Sequence, residues 1–307
     1  MQVLNLSAKG VRPFLHLIDE GVAKEIDNSL KKNKGESDLI GDGFYVYGAF
    51  QEEAGIPQGA LAVQIDGYTV SIRSLFMKPE YRLFGGATMM LDTLTAEVLS
   101  SDDIIEIEFF ADDSSSRDKE IGEFLKEKGF LSEKAPDKYY KTTLGAVRDG
   151  EVLSKYVGKG GTVSLGEVSD KALRVLGSEL ADNERSFIDL PIVKSDYDTD
   201  ISTVTITRDK ICDLVLVAKD EDGLVLEWVW AGNESGKVIK ALAGAMNKAI
   251  EKYGPDTVLR IPTVNDVSSG LVEKIVEGAE CFGFTRYYMP LLPVLEAMYK
   301  RKDGAVV

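Results

Sequence analysis

The sequence predicts an α+β protein in which one domain is written twice along 307 residues. Three observations predict it. The length suits about two domains of ordinary size. Short strand-like apolar runs alternate with amphipathic helical runs in each half. Landmarks of the first half also recur in the second, in the same order, at an offset of about 150 residues. Gly129-Phe130 recurs as Gly283-Phe284, Asp113 as Asp266, Tyr139-Tyr140 as Tyr287-Tyr288 and Gly85 as Gly236.

In the first half, helical patterning covers 11–32 and ends in a charged, glycine-bearing stretch. Gly43–Phe50 is rich in strand formers. Strands are expected at 59–66 and 68–77, joined at Asp66-Gly67, a strong hairpin signal. Pro79 ends the second of these, and a glycine-bearing loop leads into a helix at 86–99 with Leu91, Leu94 and Val98 on one face. A strand follows at 104–110, with Ile105, Ile107 and Phe109 alternating against Glu106 and Glu108. Asp112 to Ser116 supplies capping chemistry for a helix at 117–128, which stops at Gly129. Lys138–Leu144 is a last strand.

Glycines and charges at 145–161 suggest a connecting segment, which gives domains of 1–145 and 163–307 joined by a linker at 146–162. The second half then offers strands at 211–219 and 224–230 joined at Asp222-Gly223, a helix at 236–252, a strand at 256–262 and a helix at 268–280.

Composition narrows the chemistry. There are 36 Lys+Arg against 51 Asp+Glu, a net charge of −15. Both halves are acidic, which argues against a nucleic-acid surface and suits solubility or a cationic substrate. A Ser-His-Asp triad or a histidine-ligated zinc site would have to use the one histidine, His16, which lies among apolar neighbours and reads as a core or surface residue of an early helix. Cys212 and Cys281 form neither a disulfide framework nor a metal knuckle and suit free thiols in a reducing cytoplasm. No signal-peptide pattern opens the chain and no apolar run reaches membrane-spanning length, so a cytoplasmic protein is expected.

The most informative stretch is Ser71–Met90. A strand runs out, Pro79 ends it, and a short loop turns directly into a helix. Loop amides and the helix N-terminus together make an anion site suited to a diphosphate. Gly85 and Gly86 allow close approach and positive φ, Ala87 is small, and Arg82 adds a charge at the mouth. Neither the P-loop spacing nor the Gly-x-Gly-x-x-Gly fingerprint is present. What stands here is Arg82-x-x-Gly85-x-Ala87, after Met77-Lys-Pro79.

In that context the run resembles the GNAT superfamily of acyl-CoA-dependent N-acyltransferases, whose motif is Arg/Gln-x-x-Gly-x-Gly/Ala after a strand ending in a Val-x-Pro-like sequence. Phe124–Phe130 is similar to that family's Tyr-x-x-x-Gly-Phe segment. The resemblance covers about 40–144 and, through the repeat, about 165–290. It implies two tandem domains, each a mixed, mostly antiparallel sheet flanked by helices. It also implies acetyl-CoA as cosubstrate, no metal, and direct attack by a small-molecule or peptide amine, with neither nucleic acid nor membrane as partner and a monomer or homodimer as the working form.

The family's strand before the loop splays from its neighbour. Amides near Phe76 and Met77 would bond the pantetheine and polarise the thioester, and the diphosphate would rest on Leu83, Phe84, Gly85, Gly86, Ala87 and Thr88 beside Arg82. Glu106, Glu108 and Asp112 are candidate proton acceptors. The family often places a tyrosine four residues before the helix-ending glycine; here that position is Leu125, so Tyr139 or Tyr140 is the candidate acid. The catalytic candidates are Glu108, Asp112 and Tyr140.

At the repeat offset the second loop reads Asn233-x-x-Gly236-Lys237-Val238. It keeps one glycine, loses the arginine and puts a β-branched residue where a phosphate needs room, so the second domain is expected to be a degenerate copy. The N-terminal domain is expected to be the active one, and a non-catalytic acyl-CoA sensor on the same fold is the alternative. Trp228 and Trp230 alternate with Val229 and are expected to face one way.

Overall fold

The computed structural model describes residues 1–33, 40–51, 55–101, 103–156, 158, 161–181, 191–208, 210–220, 223–232, 238–263, 266–276 and 278–291. The chain divides into two compact units, Met1–Ala135 with Phe284–Val307, and Pro136–Gly283.

The first unit holds β1 (Gln2–Asn5), α1 (Glu20–Lys32), β2 (Phe44–Phe50), β3 (Pro57–Asp66), β4 (Thr69–Met77), α2 (Gly86–Leu99), β5 (Glu106–Asp112) and α3 (Ser116–Glu127). β6 (Leu131–Thr143) begins in this unit and ends in the second. Strands β1 to β5 pair in chain order, antiparallel except for β4 with β5. Beside β5 runs β12 (Glu280–Pro290), whose residues Phe284–Pro290 run antiparallel to Asp112–Glu106. Alternation along β3 fills both faces. Leu61 and Val63 join α2 and α3 through Met90, Leu94 and Leu125. Ala60 and Ala62 face α1 through Val22 and Ile26.

The second unit repeats this order. α4 (Leu144–Asp149) and β7 (Val163–Ser164) precede α5 (Asp170–Ala181), β8 (Thr203–Thr207), β9 (Lys210–Asp220), β10 (Gly223–Ala231), α6 (Val238–Tyr253), β11 (Val258–Thr263) and α7 (Asp266–Ile275). Strands β7 to β11 pair in sequence, with only β10 and β11 parallel. Beside β11 runs β6, whose residues Lys138–Thr143 run antiparallel to Thr263–Val258. Each unit therefore closes its sheet with a strand from the opposite half of the sequence. The mixed, mostly antiparallel sheets with flanking helices are those the sequence predicts.

Several boundaries differ from expectation. The helix at 11–32 is two pieces, a 3-10 turn at Arg12–Leu17 and α1. Asp19 separates them with extended backbone, its N–H donating to Ser74 Oγ at 3.2 Å. The expected linker at 146–162 begins as structure: Leu144, Val147 and Leu153 lie in the second unit's core with Leu242 and Met246. Gly150 lies at a bend and Gly158 in a turn. β6 starts seven residues before the expected 138, because its exposed, polar first part carries no apolar alternation. β1, α5 and β8 were absent from the sequence reading.

Candidate functional site

The first unit's sheet forks between β4 and β5. Only Thr69–Ser71 pair with Glu106–Glu108. The register of β4 against β3 then slips at Arg73, a β-bulge. Beyond it β4 follows β3 as far as Met77, while β5 follows β12 as far as Asp112. Two strand edges thus face each other without a ladder between them, as the family resemblance implies.

Hydrogen bonds identify the edge that lines the fork. Lys78 N–H donates to Gln58 O, so Lys78 faces β3, and by the two-residue alternation of an antiparallel ladder so does Phe76. Leu75 O accepts from Arg117 Nη2 and Met77 O from Arg82 Nε, each at 3.3 Å, so Leu75 and Met77 turn the other way. The fork-facing amides are therefore those of Leu75 and Met77. Amides near Phe76 and Met77 were expected; adjacent strand residues turn their amides to opposite sides, so Met77 stays on the fork with Leu75 while Phe76 faces β3.

At the end of β4 the chain makes a 3-10 turn, Pro79–Phe84, instead of an open loop. Gly85 follows at φ 77°, in the left-handed region, and serves as the N-cap of α2. No side chain caps this helix. The amides of Gly86, Ala87 and Thr88 open the first turn, where the helix itself supplies no acceptor, and the helix dipole adds positive potential there. Gly86 is buried, and a Cβ on it would collide with Met1 and Met77. Leu83 and Phe84 present their side chains to solvent, at 98% and 69% exposure. Arg82 lies back across the fork mouth, 3.5 Å from Glu120 Oε2.

The catalytic candidates have separate environments. Glu108 stands where the fork opens. Its Oε1 accepts from Ser71 Oγ at 3.0 Å and its Oε2 from Arg286 Nε at 2.8 Å. Glu106 also pairs with Arg286, yet burial pushes its carboxyl above the usual range. Asp112 ends β5; its Oδ1 accepts from Ser114 N–H at 2.7 Å, and its own N–H donates to Asp118 Oδ2. Burial pushes Asp118 upward despite that bond.

Tyr140 belongs to the second unit. It is buried, paired opposite Ile261, and donates its hydroxyl to Glu273 at 2.8 Å. Burial, the Glu273 bond and the Glu273 charge help push its phenol to about 12. This is a correction to the sequence reading: the structure makes Tyr140 a core residue of the other unit. Tyr139 is likewise buried there, stacked on Phe282. Leu125 is fully buried in the first unit's core.

Sequence reasoning missed Arg117 and Asp19. The Arg117 guanidinium pairs with Asp19, donates to Leu75 O and lies over the Phe76 ring. These contacts join the starts of α1 and α3 beside the fork, and no local pattern announces them. Arg286 was missed because it comes from β12. His16 is exposed on the first 3-10 turn, and both cysteines are free thiols. Among the described residues no group of three His, Cys, Asp or Glu side chains could hold a metal, and no helix is long and apolar enough to cross a membrane. Asn233, Gly236 and Lys237 of the second loop lie outside the described residues; Val238 is the first residue of α6.

Sequence comparison matches no protein-family model and no curated protein. Solved structures do match. A tandem GNAT protein from the clavulanic acid biosynthesis pathway, determined without AcCoA, superposes with a TM-score of 0.62 at 12% identity, over 94% of this chain and 98% of that one. A GCN5-related N-acetyltransferase from Sphaerobacter thermophilus gives a TM-score of 0.54 at 12% identity over 94% and 96%. A GCN5-related glucosamine N-acetyltransferase region of a fungal multi-domain GH3 β-N-acetylglucosaminidase gives 0.57 at 11% identity, over 94% of this chain and 38% of that one. With the forked sheet, the bulged β4 and the turn into α2, these matches show that the chain has the tandem GNAT fold.

Proposed function

We propose that the protein is an N-acetyltransferase whose first unit holds acetyl-CoA in the β4–β5 fork and passes the acetyl group to a primary amine. The fork carries this reading: pairing that ends at Ser71 and Glu108, two fork-facing amides, and a left-handed Gly85 opening α2. The pantetheine would bond the Leu75 and Met77 edge. The diphosphate would rest on the amides of Gly86, Ala87 and Thr88, with Arg82 swinging from Glu120 to meet it.

In this reaction the amine lone pair attacks the thioester carbonyl, a C–N bond forms, and the C–S bond breaks to release the thiolate. Fork amides stabilise the oxyanion, and positioning supplies much of the remaining acceleration. The amine proton leaves through water to Asp112, at the open end of β5. Glu108 is less suited, since both its oxygens already accept hydrogen bonds. The thiolate leaves without a phenolic acid, because Leu125 stands at the family's tyrosine position. The acceptor is a small-molecule or peptide amine. The reading extends to a cytoplasmic monomer or homodimer, supported by two free thiols.

A second reading, a non-catalytic acyl-CoA sensor, is favoured by the buried Leu125 and the engaged Glu108. Titration calorimetry with acetyl-CoA, together with mass spectrometry of a broad amine panel, separates the two. Saturable binding with acetylated product supports transfer. Binding without product supports the sensor. Absence of binding at millimolar acetyl-CoA sinks both.

A further inference from the structure

The second unit forks as the first does. β10 pairs with β11 only at Leu224–Val225 against Leu259–Arg260. Its register against β9 then slips at Glu227, leaving a bulge between Leu226 and Trp228. β10 continues along β9 to Ala231, and β11 along β6 to Thr263. This fork opens on a cavity of about 340 Å³.

Its walls differ in kind from those of a phosphate-binding cleft. Leu226, Val229, Ile239, Leu242, Ile261 and Val272 are among the residues that line it, so most of the surface is apolar. Val238 and Ile239 of α6 both border the cavity, and at the repeat offset Val238 stands where the first unit has Ala87. A β-branched valine thus takes the place of a small alanine. Glu227, at the bulge, is the acidic residue of the lining and is exposed at its mouth. It has no ion pair or hydrogen bond among the described residues. Burial of part of the side chain and the nearby Asp220 charge hold its carboxyl above the usual range.

We propose that the fork of the second unit is a binding site for an amphiphilic primary amine, its aliphatic tail in the cavity and its ammonium group on Glu227. The cavity is at the small end of ligand pockets, which run from roughly 300 to 1,000 Å³, so a tail of several carbons suits it. A cation at the mouth supplies the counter-charge that Glu227 lacks, whereas a carboxylate there would meet like charge from Glu227 and Asp220. Acyl-CoA is disfavoured because Val238 takes the place of Ala87, where a diphosphate needs room. The proposal concerns this unit alone and stands independently of acetyl transfer in the first.

The chain carries its own probe. Both of its tryptophans, Trp228 and Trp230, lie on β10; they stack with centroids 6.5 Å apart, and Trp228 borders the cavity. Intrinsic fluorescence of the full chain therefore reports this unit. Titration with n-hexylamine is expected to give a saturable change, with n-hexanol binding at least tenfold more weakly and hexanoate silent. Glu227→Gln, close in shape and exposed, should weaken hexylamine at least tenfold and bring it level with hexanol. Ile239→Phe, which fills the cavity, should abolish both responses, with circular dichroism confirming that each variant is folded. A flat hexylamine titration overturns the proposal. So does equal affinity for amine, alcohol and carboxylate, or hexylamine binding unaffected by Glu227→Gln. A tryptophan response to acetyl-CoA that hexylamine does not reproduce overturns it too.

Discussion

Arg286 Nε donates to Glu108 Oε2 at 2.8 Å across 178 positions of the chain. The same guanidinium pairs with Glu133 at 2.9 Å and with Glu106, and lies 4.8 Å from the Tyr288 ring centroid. Glu108 is the last β5 residue in register with β4. A strand from the end of the sequence therefore braces the point where the first fork opens. Removing the cation leaves three carboxylates together. Arg286→Ala should destabilise the first unit by about 3 kcal/mol at pH 7, and Arg286→Lys should recover only part, since an ammonium lacks the planar fork of donors. The loss depends on ionised carboxylates. It should shrink as pH falls and Glu106, whose carboxyl is raised by burial, takes up a proton. Urea unfolding at pH 7 and pH 4 measures both effects.

The phosphate cradle has a charge component and a backbone component that mutation can separate. Arg82 is half exposed and paired loosely with Glu120. Arg82→Glu should change unfolding stability by no more than about 0.5 kcal/mol and weaken acetyl-CoA at least about tenfold. Gly85→Ala has open space for a methyl group, yet φ stays at 77°. It should lower stability by about 1 kcal/mol and weaken the cofactor by bending the start of α2. Calorimetric titration beside thermal melts distinguishes these patterns.

Tyr140→Phe tests the reassignment of that residue. Its hydroxyl is committed to Glu273 inside the second unit. Loss of the bond should lower stability by about 1 kcal/mol and leave the acetylation rate at saturating amine unchanged. A large fall in that rate, with stability intact, would return Tyr140 to the reaction.

Asp198 should make the second unit acid-sensitive. Burial pushes its carboxyl upward, but hydrogen bonds from Tyr253 and Lys252 outweigh that and hold it below its ordinary value. Lys252 Nζ lies 2.9 and 3.0 Å from its two oxygens. A depressed carboxyl contributes stability that is complete above its unfolded value and is lost as pH falls through the folded one. Asp198→Asn should cost about 2 kcal/mol at pH 6, less than a fully buried pair because Lys252 is partly exposed. The gap from the parent chain should close below about pH 4. Denaturation across that range measures it.

Local chemistry made much of this legible. The run from Met77 through Pro79, Arg82, Gly85 and Ala87 marked the turn into α2, because a left-handed glycine and small neighbours are requirements of the backbone itself. Ser115 accepts from the Asp118 amide at the start of α3, as the capping stretch suggests. Trp228 and Trp230 share a face as alternation requires. The amide register of the fork was not legible. A bulge at Arg73 is a mismatch between two strands, and one strand's sequence does not contain it. Glu106 and Glu108 announced a charged face but not the Arg286 that occupies it.

The sequence by itself determined that one α+β pattern occurs twice, with a helix N-terminus in the first copy bare enough for a phosphate and a β-branched Val238 at the corresponding place in the second. Those properties follow from φ, side-chain volume and apolar periodicity, all set within a few residues. Only the tertiary structure decided that β12 completes the first sheet and β6 the second, that Leu75 rather than Phe76 faces the fork, and that Tyr140 lies in the other core. Each is a choice of pairing partner, and any exposed strand edge accepts any strand whose alternation fits. The choice is made by the side chains that must be buried together, Tyr287 in one core and Tyr140 in the other.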